Sequence, residues 1–224
     1  MGITTYNFKR MLKYLPTESL CELGDQWLFL HGTEVPLHTF SKDFFSTDNY
    51  KHFIKKYDSI DYVDRESVDL VIDLNKPIHE QDSYAGTQYD VVTDFGTLEH
   101  VCNYYMGLKN AFDLCKKDGT VIIANPKVGS WSDHGFHFFT QEFFNKFCEL
   151  TGNVLLFSEE FPACGNTKDG WEVCVEIKKV SDYFPSKDEF EKKLGSFYIS
   201  VFDENADGRS QHGLTVEEQE KYVR

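Results

Sequence analysis

The chain has no long apolar run. Its hydrophobic stretches span a few residues each, far short of the roughly twenty needed to cross a bilayer as a helix, so no membrane association is expected. Positive charge is scarce as well: 23 Lys and Arg stand against 37 Asp and Glu, for a formal net charge of −14. A field of that sign repels phosphate backbones, which argues against nucleic acid as a partner. Six cysteines (Cys21, Cys102, Cys115, Cys148, Cys164 and Cys174) form no CxxC pair. Their scatter excludes a clustered zinc motif and fits buried, reduced thiols in a cytoplasmic protein; no metal site is expected. No GxGxxG follows any predicted strand, which removes the dinucleotide fingerprint of dehydrogenases. There is neither an internal repeat nor a low-complexity linker. The opening MGITTYNFKR lacks an apolar signal-like segment, and Tyr6 spoils the small-hydroxyl position of a myristoylation signal, again pointing to the cytoplasm.

What the sequence does contain is globular. Of its 224 residues 41% are hydrophobic and 16% aromatic, enough for one domain with a sizeable core. The expected layout is a single domain over 1–224, with a core at about 18–180, an N-terminal helix over 4–15 and an acidic extension over 181–224. The most informative stretch is YDVVTDFGTLEHVCNYYMGLKNAFDLCKKDGTVIIANP (89–126). YDVVTDF reads as a buried strand, and Asn103 caps a helix with Val101, Tyr105, Leu108, Phe112 and Cys115 near one face. Lys116, Lys117 and Gly119 suit that helix's C-terminal end, before TVIIAN forms a second buried strand. A strand, helix and strand of this length make a right-handed parallel crossover. Ligands of such sheets bind beyond the carboxyl ends of the strands, where Asp94, Phe95, Gly96, Asn125 and Pro126 fall.

Around this unit the pattern predicts a strand at 19–24, a helical face over 41–57, strands at 59–64 and 68–74, and a helix over 141–151 capped by Thr140. A closing pair of strands at 153–158 and 170–179 and a helix near 186–194 complete it. Alternating strands and helices ending in a hairpin specify a mostly parallel α/β sheet with one antiparallel strand. Asp61, Asp73 and Asp94 punctuate successive strands. Single Asp residues commonly end strands as turn formers, but three at one sheet edge also make a ligand-binding row. An acid ending the second strand of a nucleotide-binding sheet accepts both hydroxyls of a ribose. Each such charge-assisted bond is worth roughly 1.5–3 kcal/mol.

The runs IDYVDRESVDLVIDLNKPI, YDVVTDFGTLEHVCN, LCKKDGTVIIANP and DHGFHFFTQEFF together resemble the class I S-adenosylmethionine-dependent methyltransferases, in particular a bacterial and phage branch with a DLNKPI…GTLEHV…HGF pattern. The resemblance covers about residues 18–178. It implies a Rossmann-like seven-stranded sheet, mostly parallel with one antiparallel strand, flanked by helices, with S-adenosylmethionine lying across the strand ends. Carried over, Asp61 would hold the ribose, Asp73 and Leu74 the adenine edge, and Asp94, Phe95 and Gly96 the cofactor's flank. The family's Gly-rich first loop is here Glu22-Leu23-Gly24-Asp25-Gln26, with a single Gly. Gly24 would allow the close backbone approach, Glu22 would take the cofactor's ammonium, and Asp25 and Gln26 offer polar contacts.

Methyl transfer asks mainly for alignment, with a general base when the acceptor must lose a proton. Candidates are Glu99, His100, Trp131, His134 and His137. His134 leads because SWSDHGF is a polar loop beyond Pro126, while His137 and His100 are the alternatives. Each has a surface or capping role as its bland counterpart. Trp131, Phe136, Phe138 and Phe139 either wall an acceptor pocket or fill the core. Asp203-Glu204-Asn205-Ala206-Asp207-Gly208 reproduces the first half of a calcium loop, but its twelfth position is Leu214, so it reads as a polar turn. The expectation is a methyltransferase acting on a small-molecule or sugar-like acceptor, with a homodimer through the N-terminal helix or acidic tail compatible with the sequence. The rivals are a catalytically silent scaffold that kept the sheet, and a methyltransferase of macromolecules, which the acidic charge disfavours.

Overall fold

The computed structural model describes residues 2–29, 54–130, 134–162 and 170–200. The predicted residues 41–53, Trp131 and the calcium-like segment lie outside the described residues. Strand β1 (Gly2–Thr4) leads into helix α1 (Thr5–Leu12), whose N-terminus is capped by the Thr4 hydroxyl accepting the Asn7 N–H. Strand β2 (Thr17–Leu23) follows, then β3 (Trp27–Phe29), which pairs with β1 in parallel. Next come β4 (Ile54–Asp61), β5 (Leu70–Val71), β6 (Tyr89–Phe95), helix α2 (Tyr104–Leu114) and the long β7 (Cys115–Pro126). The chain continues through β8 (His137–Phe139), α3 (Gln141–Thr151), β9 (Val154–Pro162), β10 (Trp171–Lys178), α4 (Lys187–Leu194) and β11 (Tyr198–Ser200).

Seven of these strands form one sheet in the order β5-β4-β2-β6-β7-β10-β9. Every pairing from β5 to β7 is parallel, while β10 runs antiparallel to both of its neighbours. This is the sheet expected from the sequence: Rossmann-like, seven-stranded, mostly parallel with one reversed strand. Because successive strand residues face opposite sides, the apolar runs serve two cores at once. Val92, Val121, Ile123, Val173 and Val175 face one core, with Leu108, Phe112, Phe143, Phe147 and Phe190 from α2, α3 and α4. Val91, Ile122 and Cys174 face the other, with Met11 and Tyr6 from α1. Asn103 caps α2 and Thr140 caps α3, as read from the sequence.

Three boundaries differ from expectation. Ile54–Tyr57 belong to β4 and not to a helix, because pairing with β2 from Thr17↔Ile54 to Leu23↔Ile60 overrides the helical spacing of their apolar residues. The strand expected over 68–74 keeps only Leu70 and Val71. Asp73 Oδ1 accepts the Asn75 N–H at 3.0 Å, a side-chain-capped turn that ends the extended conformation. Lys116 to Gly119 lie within β7 rather than at the helix end. Their backbone is held by β10's exit: the Asp118 N–H donates to the Lys179 carbonyl and the Lys179 N–H to the Gly119 carbonyl. No helix among the described residues is long and apolar enough to cross a membrane.

Candidate active site

The carboxyl ends of β2 and β4, the segment after β5, and the connection from β6 to α2 surround a cleft of about 690 Å³. Gly24, Asp61, Asp73, Leu74, Asn75, Thr97, His100 and Phe136 are among its lining residues. Parallel strands present unpaired backbone ends and open loops at this edge, so a ligand site belongs here on topology alone.

Gly24 turns the chain out of β2 with φ +82°, and a Cβ there would lie 2.3 Å from Thr97 Oγ1. Only glycine fits both the left-handed backbone and that contact. Thr97 Oγ1 donates to the Leu23 carbonyl at 2.7 Å and accepts from Gln26 Nε2 at 2.6 Å. The Gln26 side chain is therefore folded back under the first loop. Glu22 is buried and takes the Tyr57 hydroxyl on Oε2; burial pushes its carboxyl up to about 8. Glu22 Oε1 and Gln26 Oε1 are both buried acceptors with no donor among the described residues. Asp25 bonds Ser67 Oγ through Oδ2 at 2.6 Å.

Asp61 ends β4 on the cleft wall. It accepts the Asp25 N–H on Oδ2 at 3.0 Å and the Val63 N–H on Oδ1 at 2.9 Å. A carboxylate has about four acceptor positions, so each oxygen keeps capacity for a further donor. Asp73 also lines the cleft. Burial works to raise its carboxyl, but bonds from Asn75 and Lys76 outweigh that and hold it below its ordinary value. The segment carrying Asp73 and Leu74 is fastened to α2 by Asn110, a buried residue. Its Nδ2 donates to the Leu74 carbonyl at 3.1 Å and the Lys76 carbonyl at 2.8 Å, and its Oδ1 accepts the Ile78 N–H at 3.0 Å. Neither Asn75 nor Asn110 stands out in the sequence as a site residue; an Asn seven positions past a helix cap carries no signal until the loop it clamps is known.

Asp94, Phe95 and Gly96 sit behind this wall and are not among the cleft's lining residues. Asp94 is fully buried. Its Oδ1 accepts the Thr97 and Leu98 N–H groups at 2.9 and 3.1 Å, and its Oδ2 accepts from Asn125 Nδ2 at 2.9 Å. Phe95 packs on the opposite face of the sheet. Thus Asp94 shapes the turn that delivers Thr97 and His100 to the cleft, without facing it.

The three histidines separate. His137 is 3% exposed and bonds the Val101 carbonyl through Nε2 at 3.0 Å; burial lowers it to about 4, so it stays neutral. It is packed among Tyr104, Phe136 and Tyr198 rings and supports the cleft-lining Val101 and Cys102 from behind. His100 and His134 come together, ring centroids 5.0 Å apart, with each Nε2 3.6 Å from Glu99 Oε1. His100 lines the cleft, and burial lowers His134, keeping it a neutral acceptor. Gly135 makes this possible: with φ +73° its Cα lies so close to Glu99 that a Cβ would stand 2.8 Å from Glu99 Cγ. The Phe136 N–H completes the clasp on the Glu99 carbonyl at 2.7 Å.

Beneath lies a set of acids, in which Asp94 and Glu99, both singled out in the sequence, are joined by Glu172, which was not. Glu99 is buried, and desolvation pushes it up to about 8. Asp94 rises to about 7 through burial and the neighbouring Glu99 charge. Glu172 rises to about 8 through burial, with Glu99 and Asp94 adding to it. Asn125 Nδ2 bridges Asp94 and Glu99.

No protein-family model matches the chain, and no curated protein does. Among solved structures it is similar to the 1,6-didemethyltoxoflavin-N1-methyltransferase of Burkholderia thailandensis, determined with 1,6-didemethyltoxoflavin and S-adenosylhomocysteine. There the TM-score is 0.49 at 13% identity, over 74% of this chain and 72% of that one. It is similar to the N-methyltransferase NodS of Bradyrhizobium japonicum in complex with S-adenosylhomocysteine, with TM-score 0.46 and 9% identity over 79% and 88% of the two chains. A S-adenosylmethionine-dependent methyltransferase from Clostridium acetobutylicum gives TM-score 0.46 and 9% identity over 77% and 88%. At identities of 9–13% the functional reading rests on the cleft's own residues.

Proposed function

We propose that the protein is an S-adenosylmethionine-dependent methyltransferase acting on a small-molecule or sugar-like acceptor. One observation carries the reading: a single cleft at the carboxyl edge of the parallel strands gathers Gly24, Asp61, Asp73, Leu74 and His100. The residues fit the cofactor group by group. Asp61 would take the ribose hydroxyls, Leu74 would give an apolar surface to the adenine ring, and Asp73 would meet its edge. Glu22 and Gln26, expected to meet the ammonium and polar groups, are buried and not among the cleft's lining residues, and are assigned no part of the cofactor. When bound, the cofactor would supply a methyl group already activated by its sulfonium.

The protein's remaining tasks are to orient and to hold a proton. Asp61 and Asp73 would fix the two ends of the nucleoside, and positioning of this kind can lower a barrier by several of the roughly 7–11 kcal/mol available. His100, on the cleft wall, would accept the proton of an acceptor hydroxyl or amine, with His134 beside it. The net charge of −14 favours a small acceptor over a nucleic acid. A silent scaffold is the second reading, favoured by the Gln26 side chain folded under the first loop against Thr97.

The test is transfer of a radiolabelled methyl group from the donor to a panel of small hydroxyl and amine acceptors. Transfer that falls about 10²–10⁴-fold in His100→Ala, with cofactor affinity retained, is the expected outcome. Bound cofactor with no transfer to any acceptor would favour the scaffold.

A further inference from the structure

We propose that Glu99, His100 and His134 form a binding site for one divalent transition-metal ion at the rim of the cleft. One ligand atom from each of the three lies within 4.8 Å of the others. The two residues of the 98–100 turn are joined by His134, distant in sequence and delivered by the Gly135 contact with Glu99.

The distances separate this reading from a direct hydrogen bond. Each imidazole Nε2 stands 3.6 Å from Glu99 Oε1. That is too long for a charge-assisted hydrogen bond, which closes to about 2.7–2.9 Å. Two ligands each about 2.1 Å from a common tetrahedral ion stand about 3.4 Å apart, close to what is found here. The other Glu99 oxygen, Oε2, accepts from Asn125 Nδ2 at 3.2 Å. Oε1 is thereby the oxygen turned to both rings, and Asn125 orients the carboxylate from behind, as outer-shell partners of metal ligands do. Two imidazoles and one carboxylate match zinc and its first-row neighbours, whereas magnesium and calcium prefer all-oxygen sets. Three protein ligands also leave a position for a further molecule, the pattern of catalytic rather than structural metal sites.

His100 belongs to both the trio and the cleft wall. If the methyltransferase reading holds, on which this role alone rests, the ion would bind an acceptor hydroxyl and make its proton easier to remove, and His100 and His134 would then serve as its ligands, rather than His100 as the free base proposed above. The binding site itself does not depend on that reading.

The experiment is titration of Zn²⁺ into chelator-treated, tag-free protein by calorimetry, with Co²⁺ absorption as a second readout, both without cofactor. One equivalent should bind, and Co²⁺ should give visible d–d bands. His134→Ala and His100→Ala should each weaken binding at least about tenfold. His79→Ala, at the surface ion pair with Asp113, should leave it unchanged. His134 is partly exposed, so its variant should keep the wild-type melting behaviour. Absence of stoichiometric binding, or isotherms unchanged in His134→Ala, would overturn the proposal and leave the cofactor site untouched.

Discussion

At Gly24 the backbone carries φ +82° and has no space for a methyl group. Gly24→Ala should cost about 2–3 kcal/mol in a urea titration, from left-handed strain and from displacing the Thr97 hydroxyl that ties the first loop to β2. A loss below a few tenths would contradict the contact. Gly24, Asp61, Asp73 and Leu74, read from strand ends and from the resemblance, do line the cleft, although β5 stops at Val71, two residues before Asp73. Asp94 and His137 illustrate what was not legible. Both occupy the expected positions along the chain, yet Asp94 turns in to cap the 97–98 backbone and His137 turns in against Tyr104. Side-chain direction depends on local turns and packing that a one-dimensional pattern does not encode. The His100–Glu99–His134 contact was hidden for the same reason: it spans 35 residues of sequence between Glu99 and His134 and is made by the close approach of Gly135.

At the scale of elements, the strand–helix–strand unit and the closing hairpin were readable because their apolar runs and caps are strong local signals. The β4 start was not, since Ile54 and Tyr57 fit a helical face equally well and only pairing with β2 decides between the two. The segment after β5 is held by a few side chains, with Asn110 fastening it to α2 and Gln81 bonding the Asp73 backbone. Asn110→Ala would strand the Leu74 and Lys76 carbonyls and the Ile78 N–H. We expect a loss of about 3 kcal/mol in chemical denaturation, together with weaker cofactor binding, because Leu74 and Asp73 move with the segment. Asn110→Asp sets a buried carboxylate oxygen against both carbonyls in place of the amide donor and should be at least as damaging; equal stability of all three proteins would refute the clamp.

Across the whole molecule, buried acids set the pH response. Glu22 and Glu172 are both pushed up from 4.5 to about 8, chiefly by desolvation. Between about pH 4.5 and 8 the folded chain therefore holds protons that the unfolded chain has released. Stability is greatest below that window and falls as pH rises through it, by about 1.4 kcal/mol per pH unit for each such group. Denaturant midpoints should decline from about pH 5 to 8, and Glu22→Gln should make the decline shallower; midpoints that rise over this range would contradict the burial of these acids. The same architecture puts Asp61 and Asp73 on one cleft, the site proposed for a nucleoside cofactor. Its most direct test is calorimetric titration of S-adenosylhomocysteine into the wild type and Asp61→Ala. Wild type should bind, and binding should weaken about 100-fold or more in the variant, as expected for loss of two charge-assisted bonds. No binding to folded wild type, or equal binding to both proteins, would contradict that assignment.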